Sequence, residues 1–416
     1  MAVAPNLPSR YALYANPDIL TITLMQPLTE IRLSFRRAIA GATVAAAVLC
    51  AGGAAQGDPA PPADQKSQFE THFGASLNRD CGFSRKLPSG QTLWIFCDTA
   101  VYDWTGTLTG FVAGTTAAEG AFTVGQVPQQ LVEVPTPPGA LAGRSPFIGP
   151  AQFLPNPTNL TRADGSACAV TPTSYPAAWA TGVAQEPNNS SKLLITYWEV
   201  CVDSGAMLVE GFGLLEYDSS NNTIASGPTE VFRASGAGAQ LPAQQRLGSP
   251  IFSHNILYLF ASVCDESVWG VCTSGRVFAS NVLAAPAYWQ AGANYFWWFS
   301  TAYPGWSQDA ALAQSVIPGA TPFGITVDRY DGKGVALVEE TTIAGGYRIW
   351  QSPADTFVGA WTAGPSAGSL TGCDRATGVN LCRALTGHPE LSTPTQLLMS
   401  YFNPADNHVA VVAVPW

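Results

Sequence analysis

The chain has 416 residues with a formal net charge of −10; only 12% are charged and 47% hydrophobic, and Gly and Pro number 40 and 32. The apolar residues come in short runs, which excludes disorder and coiled coil. An acidic chain without a Lys/Arg cluster in its body has nothing to neutralise phosphates, so nucleic acid is excluded as a partner and a neutral or weakly polar one is expected.

Residues 1–57 read as an export signal. Arg32, Arg36 and Arg37 precede an apolar stretch at 38–49, too short to span a membrane, and small residues follow at 52–57. Cleavage is expected near Gly57-Asp58, and Met25 stands close enough upstream to be the true start. Residues 58–67 form a Pro-rich linker, and 68–416 the folded body. That body is expected to be secreted, at the cell envelope, monomeric and without a transmembrane segment.

The body keeps eight cysteines, an even count that behind a signal indicates an oxidising compartment and four disulfides. Their order suggests near neighbours: Cys81 with Cys97, Cys168 with Cys201, Cys264 with Cys272, and Cys373 with Cys382. With no CxxC or Cys/His cluster, no metal site is expected, and no cofactor.

Helical periodicity is almost absent after the linker. A strand, a tight polar turn and a second apolar strand recur five times, with turns at Pro88-Ser89-Gly90, Pro187-Asn188-Asn189, His254-Asn255, Asp331-Gly332 and Thr393-Pro394. Each unit has more strand after its hairpin, which matches four-stranded propeller blades with insertions. The pattern predicts an all-β, five-bladed β-propeller over the alternative of a sandwich or two-domain β chain. The last unit shows three strands, at 384–388, 396–402 and 408–414, so its fourth is expected from the N-terminal segment 68–73, closing the ring.

The first hairpin holds Arg79-Asp80-Cys81-Gly82-Phe83-Ser84 and Trp94-Ile95-Phe96-Cys97-Asp98-Thr99. Folded symmetrically about Ser89, it opposes Cys81 to Cys97 and Asp80 to Asp98, with the acids on the face away from the cystine. Opposed carboxylates cost stability and titrate as a pair, one protonated and one ionised, which is what glycoside hydrolysis requires. The bland reading pairs Asp80 with Arg79 or Arg85 and makes Asp98 a turn residue. Glu199 ends a strand at the position corresponding to Asp98 and is a candidate for the same cleft, as are His388 and Glu390 in His388-Pro389-Glu390-Leu391-Ser392. Arg79 and Trp198 complete the candidate substrate-binding set, although a Trp in an apolar strand is more often core. Gly364-Pro365-Ser366-Ala367-Gly368 matches a serine-hydrolase elbow only in letters, because Pro365 and the following Gly-rich stretch do not suit a strand-to-helix turn.

The first-hairpin motifs, together with Ile325-Thr326-Val327-Asp328-Arg329-Tyr330 and His388-Pro389-Glu390-Leu391-Ser392, resemble the family labelled domain of unknown function 4185. That family includes the endo-D-arabinanases of glycoside hydrolase family 183, found in actinobacteria. The resemblance implies a five-bladed propeller that cleaves D-arabinofuranosyl linkages in the arabinan of mycobacterial-type cell walls, with Asp80 and Asp98 as its paired acids. A non-catalytic propeller that binds wall glycan or a protein partner is the alternative.

Overall fold

The computed structural model describes residues 64–68 and 76–415, except 138–148, 205, 241–245, 269–270, 300–304, 318–321, 341–345, 353–356, 360, 371–372, 374–381 and 404–407. The chain is an all-β, five-bladed propeller. Its blades begin with the strands Ser76–Lys86, Ser174–Glu186, Arg246–Ser253, Pro322–Tyr330 and Arg383–Gly387, and each first strand pairs antiparallel with the next through one of the five expected turns. Two of these turns need φ > 0 at both central residues, and have it: His254 and Asn255 at 48° and 64°, Asp331 and Gly332 at 46° and 74°.

The core lies between neighbouring blades, and alternation along one strand explains why its apolar run is unbroken. Leu93 and Ile95 pack towards the second blade, while Trp94 and Phe96 pack towards the fifth. A strand buried on both faces has no polar side to show, unlike a strand of a solvated sandwich. Three further clusters fill the remaining gaps around the ring.

The fifth blade closes the circle. Its order is Asp64–Gln68, His408–Pro415, Gln396–Asn403, Arg383–Gly387, with Asp64 opposite Ala413 and Gln68 opposite Ala410. The closing strand thus overlaps the expected 68–73 only at Gln68, and its first four residues lie inside the segment read as linker. Pairing there covers an edge that would otherwise offer free N–H and C=O groups to other chains.

The disulfides Cys81–Cys97, Cys168–Cys201 and Cys373–Cys382 are formed, with Cα separations of 5.3, 5.8 and 5.3 Å. The side chains of Cys264 and Cys272 lie outside the described residues. Residues 364–368 fall within the strand Thr362–Ser369, so no serine elbow forms there. Among the described residues no helix is long and apolar enough to cross a membrane.

On the ring axis the first strands of all five blades meet around a cavity of about 20 Å³, lined among others by Ser84, Gly182, Ser249, Val327 and Thr386. That volume suits about one water molecule. The approach is close: a Cβ at Gly182 would come within 2.5 Å of Pro250 Cδ.

Candidate active site

The first hairpin keeps the symmetric register on both sides of its centre, with Arg79 opposite Thr99 and Phe83 opposite Ile95. Between them it departs from symmetry: Cys81 sits opposite Phe96, not Cys97. This is a β-bulge, with Cys81 at φ 63° and Gly82 at φ 143°. The bulge bends the strand where Asp80 stands and still leaves the two sulfurs within bonding reach.

Asp80 and Asp98 open onto one cleft of about 330 Å³, which Tyr175, Trp179, Met207 and Arg383 also line. Their surroundings differ. Asp80 Oδ1 accepts from the Cys81 N–H (2.8 Å), and Oδ2 accepts from Arg383 Nε (2.8 Å) and Nη2 (2.6 Å). The Arg383 guanidinium in turn lies 4.2 Å above the Phe402 ring. Asp98 Oδ1 accepts from the Gly114 N–H (2.6 Å) and Trp179 Nε1 (2.8 Å), and Oδ2 from the Tyr175 hydroxyl (2.9 Å). Burial nevertheless pushes the Asp98 carboxyl above its ordinary range; the three donors oppose that shift, and the charge of Asp80 adds to it. Burial and the neighbouring Asp98 push the Tyr175 hydroxyl up as well.

The other candidates lie elsewhere. Glu199 does not line this cleft. It stands opposite Gly211 on the neighbouring strand. There burial and a shared hydrogen bond with Glu230 raise its carboxyl to about 8. Trp198 donates from Nε1 to the Leu247 carbonyl at 2.8 Å and packs against the core between the second and third blades. Arg79 forms part of the cleft wall, but its side chain is only 1% exposed, ion-paired with Glu133 and 4.4 Å from the Phe96 ring. Its buried guanidinium braces the blade.

His388 and Glu390 belong to a second cluster at the far ends of the first strands. Ser84 Oγ lies 2.6 Å from His388 Nδ1 and donates to Glu390 Oε1; Arg85 pairs with Asp328 and stands 3.6 Å from Glu390 Oε2. His388 is fully buried under the Trp94 ring at 4.7 Å. Burial and then Arg85 lower the imidazole to about 3, and burial raises Glu390 to about 7. Neither lines the Asp80–Asp98 cleft. Among the described residues no group of three or more His, Cys, Asp or Glu is placed to hold a metal ion.

Sequence reasoning passed over Tyr175, Trp179 and Arg383. Their only trace in the sequence is position: each stands near the start of a blade's first strand, as Asp80 does. Two carboxylates in unlike surroundings, one ion-paired and one buried among donors, can divide proton donation and base or nucleophile roles between them.

No protein-family model matches the sequence, and no curated protein is similar to it. Solved structures of similar fold include a "putative hydrolase" from Bacteroides ovatus, with a TM-score of 0.50 at 12% identity over 83% of this chain and 93% of that one. They also include Zg3597, a family 117 glycoside hydrolase from Zobellia galactanivorans (TM-score 0.46, 10% identity, 85% and 89% covered). A third is an alpha-L-arabinofuranosidase from Lactobacillus brevis (0.38, 10%, 82% and 90%). At these identities the likeness is one of fold.

Proposed function

We propose that the protein is a secreted glycoside hydrolase acting within a furanose polysaccharide, the D-arabinan of mycobacterial-type cell walls, after loss of residues 1–57 and as a monomer at the cell envelope. The observation that carries this reading is the convergence of Asp80 and Asp98 on one cleft in different electrostatic settings. The preference for D-arabinan rests on the sequence motifs that resemble glycoside hydrolase family 183.

Asp98 is the general acid. Gly114 and Trp179 hold its Oδ1, so Oδ2, bonded only by Tyr175 among the described residues, carries the proton to the glycosidic oxygen. Asp80, paired with Arg383, acts at the anomeric carbon as nucleophile or as the base that activates water.

The test is release of oligosaccharides from purified arabinogalactan by the wild type, Asp80→Asn and Asp98→Asn, with rates expected to fall roughly 10²- to 10⁴-fold in each variant. On an aryl arabinofuranoside whose leaving group needs no proton, Asp98→Asn is expected to recover activity and Asp80→Asn to stay inactive. Release that survives both substitutions removes the assignment. A second reading, a propeller that binds wall glycan without cleaving it, draws support from the full engagement of both Asp80 oxygens. Retention of the polymer by the wild type with no products would favour it.

A further inference from the structure

One indole is held out in solvent at the tip of a hairpin whose two strands line the cleft. Trp104 is 89% exposed, and the turn that carries it is pinned: Asp103 Oδ1 accepts from the Thr105 N–H (2.8 Å), the Thr105 hydroxyl (2.6 Å) and the Thr107 N–H (2.9 Å). The Asp103 N–H also donates to the Thr107 carbonyl at 2.9 Å. Nothing in the turn requires an aromatic residue, since the Asp, Thr and Gly around it supply the turn chemistry. Trp104 does not stand alone, since Leu108 and Phe111 of the same hairpin are 54% and 50% exposed, and apolar side chains gathered on one exposed element mark a binding surface.

The position of the turn indicates what covers it. Trp104 joins the strand Gln91–Tyr102 to its partner Leu108–Val112, a hairpin that extends the first blade. Asp98, Ala100 and Tyr102 on the outgoing strand all line the cleft, and Trp104 lies in the turn just beyond that strand's end. The four residues of extended strand from Asp98 to Tyr102, at about 3.3 Å each, already carry the turn about 13 Å from the carboxylate, away from the scissile bond. Phe111 on the return strand lines the cleft too. The facing wall is a second extension, from Asn189–Asp203 and Ala206–Asp218, with Met207 exposed at its tip. It is braced by Cys168–Cys201 and by Arg162, which pairs with Asp203 at 2.9 Å.

We infer that Trp104 is a distal glycan-binding platform: a sugar ring of a neutral polysaccharide stacks on its indole while the chain runs through the cleft between the two extensions. The inference rests on the glycan-cleaving reading above and adds the means of gripping a polymer away from the scissile bond. Thr105 and Thr107 make the turn hydroxyl-bearing, and the Asp103 carboxylate is occupied within it. An uncharged, hydroxyl-rich ligand fits that surface.

The experiment compares wild type, Trp104→Ala and Trp104→Phe in three readouts: retardation in gels containing arabinogalactan, kinetics on that polymer, and kinetics on a short aryl arabinofuranoside. Trp104→Ala is expected to lose retardation and to raise KM on the polymer roughly tenfold, the cost of removing one aromatic anchor. Turnover of the aryl furanoside stays unchanged, and Trp104→Phe restores most of the binding. Undiminished retardation of Trp104→Ala overturns the platform, as do equal losses on both substrates. If the wild type is retarded but cleaves nothing, loss of retardation in Trp104→Ala supports the platform while the hydrolase reading fails. Cleavage without any dependence on Trp104 overturns the platform alone, and a wild type that is neither retarded nor active overturns both.

Discussion

Asp98 is held by opposing effects, and Tyr175 is the part of that balance most easily removed. Its hydroxyl donates to Oδ2, favouring the carboxylate, while burial favours the protonated acid. Tyr175→Phe deletes a donor to the charged form, so the Asp98 carboxyl rises further. If Asp98 must be protonated to act, activity falls as pH rises through its pKa, and the alkaline limb of the pH–rate profile is expected to move up by roughly half a unit to one unit in the variant. An unmoved limb would dissociate that limb from Asp98. Both carboxylates were legible in the sequence because one hairpin carries them at mirror positions. Tyr175, Trp179 and Arg383 were not, because they reach the cleft from the second and fifth blades, and a single strand's alternation says nothing about its neighbours around a ring. Glu199 shows the converse: a place in the sequence that matches Asp98, but a side chain that shares a hydrogen bond with Glu230 and does not line the cleft.

The hairpin that presents the acids depends on a bulge whose position simple symmetry could not foresee. Opposed numbering placed Cys81 across from Cys97, and the cystine does form, but the backbone slips there so that Gly82 can pass through φ 143°. Gly82 is needed for conformation and also for space. A Cβ there would come within 2.8 Å of Val409 Cγ1 and 3.0 Å of Ser400 Oγ, both in the fifth blade. Gly82→Ala is therefore expected to cost about 1 to 3 kcal/mol in stability. Asp80, two residues away, should shift with the bulge, so polymer hydrolysis is expected to fall by an order of magnitude or more. Denaturant unfolding and initial rates on folded protein check both parts; a variant with wild-type stability and rate would show that the bulge is not what aims Asp80. The five turns, by contrast, could be read directly, because short polar pairs or triplets of Pro, Asn, Asp, Gly, Ser, His and Thr between apolar runs leave the backbone few choices.

At the scale of the ring, the cluster around Arg85 joins blades that are distant in sequence: Ser84 and Arg85 from the first, Asp328 from the fourth, His388 and Glu390 from the fifth. The motif His388-Pro389-Glu390 was visible in the sequence, but its place was not, since only closure brings residue 84 to residue 390. Two of its groups make the ring's stability depend on pH with opposite signs. His388, lowered to about 3 from the ordinary 6.5, is neutral in the folded chain, so the unfolded chain takes up the proton first and stability is lost as pH falls from 6.5 towards 3. Glu390, raised to about 7 from 4.5, contributes stability that is complete below 4.5 and lost as pH rises through 7. Glu390→Gln keeps an acceptor for Ser84 and cannot ionise, so it escapes that second loss. Its stability relative to wild type is expected to climb by about 3 kcal/mol between pH 4.5 and pH 7.5, measured as the difference between paired unfolding curves. Parallel curves would mean that Glu390 is already ionised at pH 4.5 and held so by Arg85, which would make this cluster an ion-pair network and not a site that stores a proton.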